Sequence, residues 1–398
     1  MQASLRYGMA RIFVRYADFT NSVLAADEAI RIAPLDPEAH RVRAIVLNRL
    51  RERREAAESL ESAVSLRYRD DYLWIDLGNT REEIGDTENA LAAMHQAVRW
   101  APYYAHTHWQ RGNLLLRMQR PSEAFRELRV AATANPAYLK QLIDLAWGIS
   151  RGDIKTTETL LAINDDILRL DLIRFLARKG EGRDVLDQIR SLNNPLSKQN
   201  KDELVKLLFV AKAYRAAYAL WRDPDDFKSR KPWFVNGGFE EPFSVDDSAF
   251  GWLISPEVKG AFVVDVGERS GGNKSLLMRL DGNWPPGTSS LSQTFLVDPN
   301  QKYRISFGAK AKELVTGGPP VLVVYDANTN QLLGKSQTLP SGTTSWVRSS
   351  FDFTTQSATE AAVIRLQREN CDSSPCPIFG NLWIDEFVVE SAEATKKR

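Results

Sequence analysis

A cluster of acidic residues is the first place in this sequence to look for catalysis. Glu240, Glu241, Asp246 and Asp247 lie close together in the chain, and paired carboxylates are the acid and the nucleophile or base of glycoside hydrolases. These acids flank Pro242 in a stretch typical of a turn, which favours solvated side chains. We therefore expect no catalysis here and keep a polysaccharide-modifying enzyme only as an alternative.

The histidines do not indicate a metal site or a catalytic base. There are 4 of them, His40, His95, His106 and His108, all in the N-terminal part of the chain. His106 and His108 are two residues apart and would point to different faces of a helix, so they are poorly placed to share a metal ion. A glycine-rich phosphate loop before a helix and a GxSxG nucleophile motif are both missing from the sequence.

The 2 cysteines, Cys371 and Cys376, lie in the segment ENCDSSPCPIFG. They are either free thiols or a disulfide that closes a small loop. A zinc site is disfavoured because no histidine follows His108. Thiols in an irregular loop have no packing role, so we favour the disulfide, which would indicate an oxidising compartment.

The N-terminal part of the chain, which carries the histidines, contains an internal repeat. Two consecutive segments between Asp71 and Pro136 superimpose at a spacing of 34 residues. The matched pairs are Gly78 with Gly112, Ala90 with Ala124, Ala97 with Ala131 and Pro102 with Pro136. A fixed period of this length, with small residues at fixed offsets, predicts stacked pairs of helices.

The segment 71–104 resembles the tetratricopeptide repeat family. The residues that match the family pattern are Trp74, Leu77, Gly78, Ala90, Met94, Ala97 and Pro102, whereas Arg81 replaces an aromatic residue. The same period gives four repeats at 3–36, 37–70, 71–104 and 105–138. We predict that residues 139–222 form degenerate helical hairpins that extend or cap this α-solenoid.

This resemblance implies a groove, lined by the first helix of each pair, that binds a protein partner. The groove positions are Tyr7, Arg11, Arg41, Asn48, Tyr72, Asn79, Trp109, Asn113 and Arg117. In peptide-clamping members of the family, asparagines at the position of Asn79 and Asn113 hold a peptide backbone. The arginines are suited to carboxylates of a partner. The alternative is that these side chains form a solvated helix face.

The composition changes after a linker at 223–232. Short segments with alternating apolar residues follow, separated by Gly, Pro and Asp turns, and this pattern predicts an antiparallel β-sandwich over 233–391. The tail at 392–398 is charged, and we expect it to be disordered. The predicted fold class is therefore multidomain α plus all-β.

The β-rich part resembles a jelly-roll carbohydrate-binding module of the galactose-binding-like type. The motifs are NGGFE at 236–240, FGW at 250–252 and LWIDEF at 382–387. The resemblance implies a structural calcium ion held by Glu240 and Asp385, because carboxylates suit this cation. The alternative is that both residues are surface or turn acids.

The same resemblance implies glycan binding by exposed aromatic rings with polar neighbours. Trp284 in the loop DGNWPPG is the foremost candidate, together with Asn283, Tyr325 and Trp346. Each of these rings has packing as an alternative role. We expect Trp252 and Trp383 to be core residues.

The charge balance and the two resemblances define the functional hypotheses. A net charge of +1 gives no reason to expect nucleic acid or an anionic membrane as the main partner. We expect a non-enzymatic scaffold of a bacterial cell envelope or periplasm, whose export signal or anchor has been removed, acting in polysaccharide assembly or secretion. The alternative is a structural assembly protein whose β-sandwich binds protein instead of sugar.

Overall fold

The protein is described by a computed structural model that covers residues 6, 8–9, 19–222, 234–241, 249–371 and 374–391. It divides into two compact units, Met1–Asn164 and Asp165–Arg398, called unit 1 and unit 2 below. Tyr7 and Arg11 lie outside the described residues, as do the predicted linker and the charged tail. None of the described helices is both long enough and apolar enough to cross a bilayer.

Unit 1 is a series of helical hairpins. Its described helices are α1 (Phe19–Ile32), α2 (Pro37–Leu50), α3 (Arg53–Leu66), α4 (Asp71–Glu83), α5 (Thr87–Trp100), α6 (Ala105–Arg117), α7 (Pro121–Ala134), α8 (Leu139–Ile149) and α9 (Ile154–Leu161). First helices begin at residues 37, 71, 105 and 139, and second helices at 19, 53, 87 and 121. The predicted period of 34 residues is thus confirmed in the helix starts, and it extends to α8.

Close packing explains the small residues of the repeat. A Cβ atom added to Gly112 would lie 2.6 Å from Leu128 Cγ, and one added to Gly78 would lie 3.0 Å from Met94 Cε. The second helix of each hairpin therefore passes too near for a larger residue at these positions. Asp70 fixes the start of α4, because its carboxylate accepts the backbone N–H groups of the first turn.

A ring nitrogen at one repeat position makes the same contact in three hairpins. His40 Nε2 lies 2.8 Å from the carbonyl oxygen of Pro34, and Trp74 Nε1 donates to Tyr68 O at 2.7 Å. His108 Nε2 lies 2.9 Å from Pro102 O. The interchange of tryptophan and histidine at this position follows from that contact, because both rings can offer an N–H to a carbonyl six residues earlier.

Unit 2 begins with four helices: α10 (Asp166–Lys179), α11 (Gly182–Arg190), α12 (Lys198–Val210) and α13 (Tyr214–Trp221). A β-sandwich follows, with strands β1 (Leu253–Ile254), β2 (Phe262–Asp265), β3 (Ser275–Asp281), β4 (Ser289–Leu296), β5 (Lys302–Thr316), β6 (Pro320–Asp326), β7 (Leu332–Lys335), β8 (Val347–Thr354), β9 (Ala361–Arg368) and β10 (Ile378–Ser391). Sheet 1 has the order β1-β4-β9-β6-β7 and sheet 2 the order β2-β3-β10-β5-β8. The pairs within both sheets are antiparallel, as predicted.

The two sheets enclose one apolar core. Strands of both sheets contribute alternate side chains to it, and Phe295, Phe307 and Ile364 are fully buried. Trp252 is buried in this core as expected, and its indole N–H donates to Asn236 O at 3.0 Å. The tryptophan therefore ties the NGGFE motif to the core.

The helices of unit 2 pack on one end of the sandwich. Tyr218 and Trp221 of α13 surround Phe250, which is fully buried. Tyr214 Oη donates to Ala327 O at 3.2 Å, and Arg215 Nη2 donates to Val297 O at 3.0 Å. The boundary between compact units lies at Asn164, whereas the sequence indicated divisions at residue 139 and at the 223–232 linker. The composition of α10–α13 gave no sign of these contacts with distant loops.

Candidate functional site

The side chains at the predicted groove positions of α2, α4 and α6 form the surface that we call the first-helix face. Tyr72 stacks on His106 with ring centroids 6.0 Å apart, and Trp109 stacks on Tyr138 at 4.5 Å. Tyr72 remains 46% exposed. Successive hairpins thus share aromatic contacts along this face. Tyr138 was missed in the sequence because it lies in the short 3-10 helix before α8.

A cavity of about 530 Å³ opens beside Trp109 on the first-helix face. It is lined by Trp109, Asn113, Gln141, Asp144, Leu145, Gly148 and Ile149. Ile149 is 47% exposed, while Asn113 and Gln141 supply amide groups. Apolar walls with two amides suit an extended peptide that inserts an apolar side chain. The structure brings Trp109 and Asn113 together and adds residues of α8.

A second cavity, of about 290 Å³, lies nearer the start of the repeats and includes Asn48 and Asn79. Asn48 Nδ2 donates to Thr80 Oγ1 at 2.9 Å. Its Oδ1 is buried and has no hydrogen-bond partner among the described residues. A buried acceptor of this kind is costly unless a donor reaches it. Asn48 thus lines the cavity with its Nδ2 bound to Thr80 and its Oδ1 closed to solvent.

The arginines of the first-helix face are engaged within the protein. Arg41 Nε donates to Asp76 Oδ2 at 2.9 Å, and Arg117 forms a two-bond pair with Glu82. Each pair joins the first helices of successive hairpins. The guanidinium groups of Arg41 and Arg117 thus already bind acids of the neighbouring helix, and their pairing with carboxylates of a partner stays a prediction.

His108 links the two helices of its hairpin. Its Nδ1 lies 2.7 Å from Glu127 Oε2, and its Nε2 contacts Pro102 O. Arg111 also pairs with Glu127, at 3.0 Å. The hydrogen bond to the Glu127 carboxylate raises the pKa of His108 above its ordinary value, although burial opposes this shift. His108 thus has a structural role and is only 8% exposed.

The leading glycan candidate, Trp284, is not available to a ligand. It is 2% exposed and belongs to the sandwich core. Its indole N–H donates to Thr288 O at 3.3 Å, which closes the β3–β4 loop over the ring. The prediction that Trp284 is an exposed stacking residue is therefore wrong. Asn283, next to it, is exposed on the same loop.

Trp346 also packs on the sandwich. Its ring lies 3.4 Å from the position of a Cβ atom on Gly308, and its indole nitrogen is buried without a hydrogen-bond partner in the part of the chain that the structure describes. Because Gly308 of β5 has no side chain, the Trp346 ring can lie against the outer side of sheet 2. Only part of the side chain is accessible, so Trp346 does not form a stacking platform by itself.

Tyr325 is a predicted glycan residue that the structure leaves partly exposed on a sheet face. We call Tyr325, Arg365 and Gln367 the Tyr325 platform; all three lie on the outer face of sheet 1. The tyrosine Oη donates to Gln367 Oε1 at 3.0 Å, and the Arg365 guanidinium lies 4.8 Å from the ring centroid. An aromatic ring with an amide and a cation beside it has the groups that sugar recognition needs. Arg365 and Gln367 were missed, although they occupy the polar positions of the alternating β9 segment.

The outer face of sheet 2 carries a different, more apolar pair. Phe379 of β10 and Val315 of β5 are cross-strand partners and are 50% and 67% exposed. Asp281 of β3 pairs with Phe379 on its other side. Phe379 was missed because the sequence attached no role to the start of the last strand.

The two predicted calcium ligands hold one loop, residues 267–275. Glu240 Oε1 accepts the backbone N–H groups of Asn273 at 2.5 Å and Lys274 at 3.0 Å. Asp385 is fully buried, and its Oδ2 accepts N–H groups from Ser270 at 2.9 Å and Gly271 at 3.2 Å. Burial raises the pKa of Asp385, and these donors oppose the shift.

Both carboxylates lie near Gly238. A Cβ atom on this glycine would be 3.7 Å from Glu240 Cγ and 4.0 Å from Asp385 Oδ1. Two carboxylates next to backbone carbonyl groups are the donors that calcium prefers. The described residues nevertheless contain no group of three or more candidate ligand side chains. Glu240 is held by N–H donors, and Asp246 and Asp247 lie outside the described residues, so no acidic pair for hydrolysis is assembled in the part that the structure describes.

The disulfide prediction is confirmed. Cys371 and Cys376 are bonded to each other, in the loop between β9 and β10. This loop meets the β3–β4 loop and the β5–β6 turn at one end of the sandwich. Arg368, the last residue of β9, donates hydrogen bonds to all three segments.

Comparison with known families finds a match for the sandwich. Residues 231–374 match a family described as a carbohydrate binding domain. The match covers the strands up to β9 and ends within the disulfide loop. No curated protein matches the sequence.

Solved structures with similar folds are distant. The MamA fragment 41-end from Desulfovibrio magneticus RS-1 is 17% identical, with a TM-score of 0.35, and the match covers 48% of this chain and 98% of that one. The PilF protein of Pseudomonas aeruginosa is 15% identical, with a TM-score of 0.33, over 55% of this chain and 88% of that one. A carbohydrate-binding structure titled "CBM4 structure and function" is 17% identical, with a TM-score of 0.30, over 40% of this chain and 99% of that one.

Proposed function

We propose that this protein is a non-enzymatic scaffold of a bacterial cell envelope that joins a protein partner to a glycan. The helical hairpins of unit 1 would bind the protein and the sandwich would bind the sugar. The observation that carries the proposal is the match of residues 231–374 to a carbohydrate binding domain. Both kinds of domain are non-catalytic, which supports a role in polysaccharide assembly or secretion rather than in sugar chemistry.

The Tyr325 platform is the proposed glycan site. Gln367 fixes the tyrosine hydroxyl, and the Arg365 guanidinium lies over the ring, 4.8 Å from its centroid. A pyranose can pack against the ring and the guanidinium stacked on it while its hydroxyl groups bind the amide and the guanidinium. This assignment replaces the buried Trp284 with three partly exposed residues of a sheet.

A glycan array probed with the full chain tests the proposal, followed by titration of the oligosaccharide that binds. Tyr325→Ala should weaken binding at least about tenfold, the effect of losing roughly 1.4 kcal/mol of contact energy. Phe379→Ala is the matched control, because it removes an exposed aromatic ring from the opposite sheet. Full affinity in Tyr325→Ala would refute the platform, and an array without any bound glycan would refute the glycan role.

A second candidate function is that the sandwich binds protein. The exposed pair Phe379 and Val315 favours it, because neighbouring apolar side chains on an open sheet face are typical of the centre of a protein interface. In that case the protein is a structural assembly component. Loss of partner binding in Phe379→Ala, together with unchanged behaviour of Tyr325→Ala, would support this alternative.

Two further properties belong to the proposal. The Cys371–Cys376 disulfide supports residence in the periplasm or another oxidising part of the envelope.

We also propose that Glu240 and Asp385 hold a structural calcium ion next to the 267–275 loop. The ion would offset the charge of the two carboxylates. The ion would stabilise the sandwich and take no part in ligand chemistry.

The first-helix face would bind an extended segment of the protein partner. Its contribution rests on the cavity beside Trp109 and the amide of Asn113. Because Arg41 and Arg117 are paired internally, an acidic segment is not required. An apolar side chain flanked by backbone amides fits these groups best.

A further inference from the structure

Arg368 is a buried cation that meets only neutral groups in the described part of the chain. It is 3% exposed. Its Nε donates to Gly318 O at 3.1 Å, and its Nη2 donates to Thr316 Oγ1 at 2.8 Å. Its Nη1 donates to the carbonyl oxygens of Trp284 and Cys376. Buried charges are normally paired with an opposite charge, and the described residues supply none to Arg368 in the oxidised protein.

The sulfur of Cys376 is the group that can become that anion. Arg368 Nη2 lies 3.0 Å from Cys376 Sγ. A disulfide sulfur is neutral and gains little from a guanidinium group. A thiolate at the same place would form a charge-assisted contact with it. Among the described residues, the hydrogen bonds of Arg368 reach Cys376 and not Cys371, whose Sγ lies 2.9 Å from the position of a Cβ atom on Gly318.

We propose that Cys371–Cys376 is a thiol-exchange site in which Arg368 stabilises Cys376 as the leaving thiolate. The disulfide is asymmetric, because the cation touches one sulfur only. Attack by an external thiolate should therefore occur at Cys371, so that the electrons of the broken bond go to the sulfur beside Arg368. The inference does not depend on glycan binding.

The reaction requires a dithiol reductant, either a small molecule or a redox protein. One thiolate of the reductant attacks Cys371 Sγ, a mixed disulfide forms, and the Cys371–Cys376 bond breaks with its electron pair on Cys376. The second thiol of the reductant then loses its proton and attacks the reductant's own sulfur in the mixed disulfide. Cys371 leaves as a thiolate and takes up this proton, and the reductant is released as a disulfide, oxidised by two electrons.

Reduction would change the end of the sandwich where Arg368 joins three segments. In the oxidised protein the guanidinium bridges the Trp284 loop, the Thr316–Gly318 turn and the disulfide loop. A thiolate on Cys376 competes with these carbonyl groups for the same N–H donors. The redox state of the disulfide is thereby coupled to the order of the loop that covers Trp284.

Two single-thiol variants of the full chain test the asymmetry. Cys371→Ser leaves Cys376 as a free thiol beside Arg368, and Cys376→Ser leaves Cys371 in the same loop. The rate of alkylation by iodoacetamide is measured against pH, with the melting temperature as a check of folding. Cys376 should titrate below the usual thiol value of about 8.5 and react roughly tenfold faster than Cys371 at pH 7. Equal profiles for the two variants would overturn the proposal.

Substitution of the cation supplies the second measurement. Arg368→Gln in the Cys371→Ser background should return the titration of Cys376 to the usual range, whereas Arg368→Lys should retain part of the shift. Reduction of the otherwise unchanged protein by dithiothreitol at pH 7 should slow about tenfold in Arg368→Gln. An unchanged reduction rate would contradict the role of Arg368. If both Arg368 variants unfold, the comparison of Cys376 with Cys371 decides the question.

Discussion

The hairpins of unit 1 and the sandwich of unit 2 satisfy their polar groups over very different distances in the chain. In unit 1, Trp74 bonds a carbonyl 6 residues earlier, and the same contact recurs at His40 and His108. In the sandwich, Asp385 accepts N–H groups from Ser270, 115 residues away. The hairpins therefore repeat one short-range contact, whereas the sandwich depends on long-range hydrogen bonds that have no equivalent elsewhere in its described residues.

This difference has a consequence for stability. Loss of one repeated contact leaves its equivalents intact in the neighbouring hairpins, and stacked repeats respond through nearest-neighbour interactions. Loss of a unique buried contact in the sandwich leaves several groups unsatisfied together. Substitutions in unit 2 should consequently have larger effects than equivalent substitutions in unit 1.

The largest expected effect is that of Asp385→Ala. Three backbone N–H groups, from Ser270, Gly271 and Glu386, would lose their acceptor in a buried position. At roughly 1 kcal/mol for each group, the free energy of unfolding should fall by about 3 kcal/mol. Urea unfolding followed by tryptophan fluorescence measures it. If Asp385→Ala lowers the free energy of unfolding by no more than Trp74→Phe does in unit 1, the proposed difference between the two units is wrong.

The control for Asp385 is Asp352→Ala, which removes surface ion pairs with Lys302 and Arg304. Its effect should be much smaller, because exposed ion pairs contribute little.

The same two variants, Asp385→Ala and Asp352→Ala, also test the calcium proposal. EGTA should lower the melting temperature of Asp352→Ala, because it removes an ion that binds only the folded state. The melting temperature of Asp385→Ala should fall much less, because this variant lacks a proposed calcium ligand. A melting temperature of the wild type that EGTA leaves unchanged would rule out a stabilising ion.

The substitution Trp74→Phe should have an intermediate effect. It keeps an aromatic ring but removes the N–H that binds Tyr68 O, so we expect a loss of about 1 kcal/mol in the free energy of unfolding. Trp100→Phe is a suitable comparison, since the ring contact of Trp100 with Tyr68 needs no indole N–H. Equal losses in the two variants would show that ring volume, and not the repeated hydrogen bond, determines the preference at this position.

The smallest expected effect is a pH dependence in unit 1. The Glu127 carboxylate raises the folded-state pKa of His108 above its ordinary value of 6.5. This contribution to stability is fully present below about pH 6.5 and is lost as the pH rises through the folded pKa. Chemical denaturation between pH 5.5 and 9 should show this slope, and His108→Gln should remove it. An identical pH profile in His108→Gln would exclude His108 as the origin.

The repeat could be predicted from sequence because its determinants are local. Gly78 and Gly112 mark the helix contact, and the helix starts follow the same period. The β-sandwich was recognisable for a related reason, since alternation and turn residues act within single strands. The disulfide also followed from two cysteines in one loop. Each of these predictions used neighbours within one repeat, one strand or one loop.

The candidate sites were harder to predict because they combine distant residues. Trp284 has the sequence context of an exposed loop residue, yet Arg368 and Thr288 hold its loop over the core. Tyr325 was selected, but its partners Arg365 and Gln367 come from another strand. The arginines of the first-helix face pair with acids one repeat away, which a list of groove positions does not show.

The sequence by itself determined the two kinds of fold, because helical and strand periodicity, glycine spacing and turn residues act over a few residues. Only the tertiary structure decided which side chains remain open and which charges are already paired. It buried Trp284, left the Tyr325 platform partly exposed, placed α10–α13 in unit 2 and set Arg368 beside one sulfur of the disulfide. The exposure of a side chain and the pairing of a charge depend on residues that are distant in the sequence and pack against it. A local sequence pattern does not identify those residues.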